Sequence, residues 1–289
     1  MRSKIAIIGS NGMAGHLISD YLVLNPEFEV VRVARDSSIK KTDHQIDVTN
    51  FYALEELISN LKPDYVINAI GVLNADAESN PDRAVLLNSY FPHFLANICD
   101  KYKSRLFHIS TDCVFSGKKG SYLEYDFKDG IGFYAQSKAL GEVNYHNHIT
   151  IRTSIIGPDI KRNGIGLLNW LLSQNGGIIG YSEAFWGGVT TLELAKAIEF
   201  FISQNIDGFN IYHLTNSEKI SKFDLLKIIN EVFNLKLNIL SSSEYKVDKS
   251  LVNSNKLIDY RVPSYQIMIE EIYKWIRKNN VSYPQYNLE

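Results

Sequence analysis

Only two cysteines, Cys99 and Cys113, occur in the 289 residues of this chain, too few for a disulfide framework or a four-thiolate metal site. Both sit in apolar stretches and are expected as free thiols. Neither sign of charge is in excess: 30 Lys and Arg face 32 Asp and Glu, a formal net charge of -2. Nucleic acid and acidic membranes attract a basic surplus, so neither is an expected partner. Long apolar runs are missing as well. None approaches the ~20 residues that span a bilayer, and the first, residues 4–8, has the length of a strand and lacks a cleavable signal region. The expected location is therefore cytoplasmic. Repeats, low-complexity tracts and charge runs are absent too. What the chain does have is apolar bulk, 45% hydrophobic residues with 14 Phe, 17 Tyr and 3 Trp, ample for a core.

That bulk is arranged in alternation. Strand-length apolar runs at 4–8, 29–34, 65–69, 105–110 and 149–154 are separated by helical stretches at 13–24, near 51–60, near 81–102 and around Tyr134. Repeated strand–helix–strand units predict an α/β fold, a doubly wound parallel sheet of the Rossmann type with ligands beyond the carboxyl ends of its strands. From about residue 155 the pattern loosens, with helices expected around 165–174, 190–204, 221–233 and 265–278. This part is read as a smaller α/β C-terminal substrate lobe. The expected division is residues 1–154 plus about 187–212 for the nucleotide-binding domain, and about 155–186 plus 213–289 for the lobe.

Between the first strand and helix lies Gly9-Ser10-Asn11-Gly12-Met13-Ala14-Gly15. Gly9 permits a sharp turn, Gly12 lets backbone approach a pyrophosphate, and Gly15 lets the helix pack close to the strand. The helix N-terminus then offers free N–H groups to phosphate. Gly9, Asn11, Gly12 and Met13 are thus candidate cofactor contacts. At the tip of the second strand, Arg35 suits the 2′-phosphate of NADPH, whereas Asp36 would suit NADH as the lesser alternative. Asp47 and Val48 could reach the adenine, and Asn68, Ala69 and Gly71 border the crevice after the third strand.

Tyr134 and Lys138 are four residues apart, which on a helix places them on one face about 6 Å apart along the axis. An ammonium there can favour ionisation of a phenol whose ordinary pKa is near ~10, so Tyr134 is expected to relay a proton and Lys138 to tune it and hold the nicotinamide ribose. Ser110 and Thr111 are rivals to orient a carbonyl; adjacent strand residues face opposite ways, so only one can. The tract Tyr145-His146-Asn147-His148 lacks accompanying ligands, so it is expected to be a solvated helix end and no metal is expected. His108 and His213 are expected as hydrogen-bonded core or edge residues.

These motifs, in order, with Ile109-Ser110-Thr111-Asp112-Cys113-Val114-Phe115-Ser116-Gly117, Gly141-Glu142 and Ile151-Arg152-Thr153-Ser154, resemble the extended short-chain dehydrogenase/reductases, and within them the dTDP-4-dehydrorhamnose reductase branch. The resemblance is tightest from residue 4 to about 160. It implies NADPH-dependent reduction of the 4-keto group of a nucleotide-activated 6-deoxyhexose for surface-polysaccharide precursors. It also favours Thr111 over Ser110 and places Asp112 on the sugar hydroxyls. Related dehydratases carry Asp-Glu after the Thr; here Cys113 follows Asp112, which disfavours dehydration. A sugar-nucleotide 4-epimerase and a non-catalytic regulatory subunit of methionine adenosyltransferase are the alternatives. The rhamnose reductases commonly have Trp after Arg-Thr-Ser, where this chain has Ile155. Trp186, with Phe185, supplies the missing apolar wall or anchors the lobe, and the roomier pocket could admit a UDP-2-acetamido-2,6-dideoxy-hexulose. A nucleotide-sugar substrate and a homodimer complete the expectations.

Overall fold

The computed structural model describes residues 2–206, 210–256, 258–286 and 288. Its centre is a parallel sheet. Strands β1 (Ser3–Ile8), β2 (Phe28–Ala34), β3 (His44–Gln45), β4 (Tyr65–Asn68), β5 (Arg105–Thr111) and β6 (Ile149–Thr153) are joined by β11 (Ile211–His213), in the order β11-β6-β5-β4-β1-β2-β3. Every neighbour pairs in parallel. Ile5, Ala6, Ile7 and Ile8 are all fully buried, because helices cover both faces and alternation of polar and apolar residues is not needed. One face packs on α1 (Met13–Leu22) and α8 (Thr191–Ser203), with Leu17, Ile18, Ile198 and Phe201 in one cluster. The opposite face carries α2 (Phe51–Leu61) and α5 (Phe91–Lys101), with Leu54, Ile58, Leu95 and Cys99. Strand order reverses between β1 and β4, which opens a crevice at their carboxyl ends.

Past β6 the chain leaves this sheet. Short pairs β7 (Ile155–Ile156) with β10 (Val189–Thr190) and β8 (Gly177–Tyr181) with β13 (Asn238–Ser242) flank a three-stranded sheet. In that sheet β9 (Ala184–Trp186) lies between β12 (Ile220–Ser221) and β14 (Val247–Asp248). Helices α7 (Leu167–Leu172), α9 (Lys222–Val232) and α10 (Tyr265–Lys278) complete this part. Side-chain caps start the longer helices: Thr190 Oγ1 accepts from Glu193 N–H at 3.2 Å and Ser221 Oγ from Asp224 N–H at 3.0 Å.

Two local features differ from the sequence reading. The long helix expected near 81–102 is broken into α4 (Pro81–Ala84), a π-helical turn Val85–Tyr90, and α5. The widened turn buries Asn88, whose side chain accepts from Val72 N–H at 2.8 Å and donates to Val72 carbonyl at 2.9 Å and Ser137 hydroxyl at 3.1 Å. The histidine tract is not a helix end. Helix α6 (Phe133–Leu140) stops at Gly141, and residues 142–148 form a turn into β6 with His148 buried.

Candidate active site

The crevice is built first by glycines. Gly9 ends β1 with φ +91°, and a Cβ on Gly15 would lie 2.1 Å from Gly9 carbonyl oxygen, so α1 can start this close to β1 only with glycine there. Helix α1 has no side-chain cap at Gly12, leaving N–H groups of its first turn for a ligand. Ser10 Oγ and Asn11 Oδ1 are buried without a hydrogen-bond partner among the described residues. Buried polar atoms are seldom orphaned, so these two match a nucleotide lying along the turn. Asn11 Nδ2 meanwhile donates to Asp36 carbonyl at 2.6 Å and Lys40 carbonyl at 3.0 Å, tying down the loop after β2. Met13 is the first residue of α1.

Around that turn the other candidates fall into place. Ala69 backbone lies 3.1 Å from the Cβ position of Gly9, directly across the switch point. Asn68 is turned inward, with Oδ1 accepting from Ile70 N–H and Nδ2 paired to His108 Nδ1, both at 3.1 Å. Gly71 is exposed above Asn88. Arg35 is exposed at the tip of β2, and the Asp36 carboxylate is held low first by its own turn with Ser38 and then by the nearby Arg35 charge. Asp47 is likewise held low by the N–H and hydroxyl of Thr49 before Arg35 contributes. Val48 is buried behind it.

The reactive cluster sits at the end of β5. Ser110 donates to Glu142 Oε1 at 2.8 Å, whereas Thr111 donates to Asp112 Oδ1 and accepts from Cys113 N–H, both at 3.1 Å, with the Tyr134 phenol close by. The strand's alternation thus sends one hydroxyl into a buried ion pair and the other to the phenol. Helix α6 is started by Glu78, whose two carboxylate oxygens accept from the N–H groups of Phe133 and Tyr134, each at 3.1 Å. Lys138 is 4% exposed. Its Nζ donates to Ile109 carbonyl at 2.7 Å, and burial depresses its pKa to about 8 against the opposing pull of Glu142.

The Tyr134 phenol departs from expectation. Burial pushes its pKa upward, the neighbouring Cys113 adds to this, and the Thr111 hydroxyl only partly opposes it. The anticipated lowering by Lys138 is overridden because a phenolate here would lose its water while the ammonium is already engaged by Ile109. Tyr134 is therefore protonated at neutral pH and suited to donating. Asp112 is also pushed up by burial, with Lys249 and Lys222 opposing.

Behind the cluster, Glu142 binds Arg152 through two bonds of 2.6 and 2.7 Å and takes Lys128 at 3.1 Å. Arg152 also donates to His213 Nε2 at 3.1 Å, and burial first and the Arg152 charge among other causes lower that histidine to about 4, so it stays neutral. This network ties β5, α6, β6 and β11 together.

On the other wall, Trp186 is buried with its ring 5.7 Å from that of Tyr265, and a Cβ on Gly188 would come within 2.5 Å of the indole. Phe185 has Lys219 Nζ 4.3 Å from its ring centre. Ile155 is half-buried on β7, in register with Val189. The structure brings Thr111, Asp112, Tyr134 and Lys138 into one cluster and leaves Arg35 and Asp47 beside each other at the end of the crevice near β2. Glu78, Asn88, Lys222 and Lys249 were not anticipated; their sequence neighbourhoods carry no motif.

The histidine tract needs separate comment. His146 Nδ1 is 2.6 Å and His148 Nε2 3.3 Å from the two oxygens of Asp100, and these groups are close enough to hold an ion. However, His148 Nδ1 accepts from Leu106 N–H at 3.2 Å. Its neutral ring then carries the proton on Nε2, so that nitrogen faces Asp100 as an N–H and offers no lone pair to a metal.

A parallel sheet with a glycine turn after β1 and a Tyr-x-x-x-Lys helix after β5 defines an extended short-chain dehydrogenase/reductase. A family model, the RmlD substrate binding domain, matches residues 3–250, and the chain belongs to that family. It is similar to a dTDP-4-dehydrorhamnose reductase of Aggregatibacter actinomycetemcomitans, 27% identical with 77% of this chain and 76% of the relative covered. It is also similar to one from Mycolicibacterium smegmatis, 30% identical over 78% of this chain and 67% of the relative. Among solved structures, a Bacillus anthracis dTDP-4-dehydrorhamnose reductase in complex with NADP superposes with a TM-score of 0.80 at 22% identity, covering 95% of this chain and 99% of that one.

Proposed function

We propose that this protein reduces the 4-keto group of a nucleotide-activated 6-deoxyhexose with NADPH, as its named relatives suggest. The observation that carries the reading is the clustering at the end of β5 of Thr111 with a protonated Tyr134, four residues before a buried Lys138 on α6. Bound NADPH would supply hydride to the ketone carbon. Thr111 orients the ketone oxygen, Tyr134 gives it a proton as negative charge builds there, and Lys138 holds the cofactor ribose. Gly9, Asn11, Gly12, Met13, Asn68, Ala69 and Gly71 line the dinucleotide, with Asp47 and Val48 toward its adenine. Arg35 takes the 2′-phosphate; Asp36 competes poorly for ribose hydroxyls because Ser38 already donates to its carboxylate at 2.8 Å. Asp112, Ile155 and Trp186 face the sugar.

In this reading the chain from β7 to β10 and the segments after β11 form the substrate lobe. The enzyme works in the cytoplasm, as a homodimer, on precursors of surface polysaccharide. The test is NADPH oxidation, followed by its absorbance, with a panel of dTDP- and UDP-linked 4-keto-6-deoxyhexoses. Turnover of at least one supports the reading. NADPH binding without turnover of any would favour a regulatory subunit, and interconversion of UDP-sugars with NAD an epimerase.

A further inference from the structure

The amino end of α6 is held from outside the helix. Gly132, which precedes it, offers no side-chain cap, and the first N–H groups of a helix have no partner within it. Two of them, those of Phe133 and Tyr134, donate to the two carboxylate oxygens of Glu78 at 3.1 Å each. Both oxygens are occupied in this way, and among the described residues no cation pairs with Glu78. Gly132 is bent to φ +93°, and a Cβ there would lie 2.6 Å from Glu78 Oε1, so the carboxylate fills the space that a side chain would take.

Glu78 reaches α6 from a firmly seated arm. It lies on α3 (Asn74–Ser79), in the segment that continues from the crevice residues 68–71. Asn88 ties that segment at both backbone groups of Val72, α3 buries Ala77, and Asp76 accepts from Asn80 Nδ2 at 2.8 Å and from Arg83 at 3.2 Å. The later part of α6 has anchors of its own. Ser137 accepts from Asn88 at 3.1 Å through its hydroxyl and from Ser89 at 2.8 Å through its carbonyl, and Ala139 carbonyl accepts from Lys128 at 2.7 Å. In the first turn, where Tyr134 stands, Glu78 alone among the described side chains takes backbone N–H groups.

We propose that Glu78 is a positioning residue for the reaction: its two-pronged grip on the amides of Phe133 and Tyr134 fixes the main chain from which the Tyr134 phenol reaches the ketone oxygen. This rests on the reductase reading, in which Tyr134 gives the proton. In this role Glu78 need touch neither substrate nor cofactor; it acts through Tyr134. Hydrogen bonds to an ionised carboxylate are among the stronger ones, and a negative charge suits the amino end of a helix. Moving a catalytic group by about 1 Å can cost on the order of 10²-fold in rate, so a grip on the donor's own amide is felt in turnover. Since α3 continues from residues 68–71, one piece of chain sets both the proposed cofactor wall and the start of the catalytic helix.

Steady-state and single-turnover kinetics of Glu78→Ala, Glu78→Gln, Tyr134→Phe and the double variant Glu78→Ala/Tyr134→Phe test this, together with amide hydrogen exchange. Glu78→Ala should lower kcat by about tenfold or more while KM for NADPH and for the keto sugar stays within about twofold of wild type. Glu78→Gln, which keeps one acceptor oxygen, should recover part of that loss. In the Tyr134→Phe background, Glu78→Ala should cost less than about twofold more, because no proton donor is left to place. A cap that only supports folding would instead multiply its full effect onto Tyr134→Phe; that outcome, or an undiminished kcat in Glu78→Ala, overturns the proposal. Exchange of the Phe133 and Tyr134 amides, which no bond within the helix protects, should speed up severalfold in Glu78→Ala, with the later amides of α6 at wild-type rates. Exchange needs no substrate: unchanged rates at these two amides overturn the grip, whereas a wild type inactive on every keto sugar counts against the reductase reading.

Discussion

Replacing Lys138 by Met should stabilise the protein without cofactor while removing its activity. The ordinary lysine value of 10.5 falls to about 8 in the folded chain because the ammonium is buried. At 1.36 kcal/mol per pH unit this interval is a penalty of about 3 kcal/mol for holding the charge inside. The hydrogen bond to Ile109 carbonyl returns about 1 kcal/mol of what Met would lose, so Lys138→Met should gain about 2 kcal/mol at pH 7. The sign follows from linkage: the folded pKa is depressed, so the penalty is fully present below pH 8 and fades as pH rises from about 8 toward 10.5, where the unfolded chain also gives up its proton. Urea unfolding of both proteins without cofactor at pH 7, 8.5 and 9.5 measures the difference, which should shrink across the series. A destabilised variant at pH 7, or a gap that does not change with pH, would refute the assignment of Lys138 as a strained, charged group. Turnover should be lost and NADPH affinity weakened in the same variant.

The remaining predictions concern the reaction. Tyr134→Phe should lower turnover by on the order of 10²–10⁴-fold with NADPH affinity nearly unchanged, because it removes only the positioned proton; near-normal single-turnover rates would take Tyr134 out of the chemistry. Arg35→Ala should weaken NADPH by about 1.5–3 kcal/mol and leave NADH almost untouched, so equal losses for both cofactors in fluorescence titrations would make Arg35 structural. Ile155→Trp should shift preference by roughly 10–200-fold from a 2-acetamido sugar toward one lacking the acetamido group; an unchanged ratio of kcat/KM values for the two would remove this position from specificity.

How much of this was legible depends on how far apart in sequence the cooperating groups lie. Tyr134 and Lys138 were legible because a helix converts a spacing of four into one face. The turn from Gly9 to Gly15 was legible because close backbone approach tolerates only glycine, which the 2.1 Å contact at Gly15 bears out. Strand positions came through because a sheet covered on both sides demands unbroken apolar runs such as 5–8. The choice between Ser110 and Thr111 could be posed from the strand's alternation, and the proposal of Thr111 gains its structural support from Glu142, just past the end of α6, which takes the serine hydroxyl.

What stayed hidden was set by tertiary packing. The π-helical turn Val85–Tyr90 has no residue that demands it; it exists because Asn88 must meet both backbone groups of Val72 while its own carbonyl lies against Gly141, where any Cβ would come within 1.8 Å of that oxygen. That same contact ends α6 at Leu140, which is why the following histidines form a turn under β5 and not the helix end their spacing suggested. Lys222 and Lys249 were invisible for a related reason. Neither has a local partner that would mark it, and only the pairing of β12 and β14 on either side of β9 sets both beside the strand of Trp186. The local code therefore specifies the groups that sit on successive elements of one sheet, whereas the wall beside Trp186 is assembled from segments far along the chain, whose meeting no local spacing can announce.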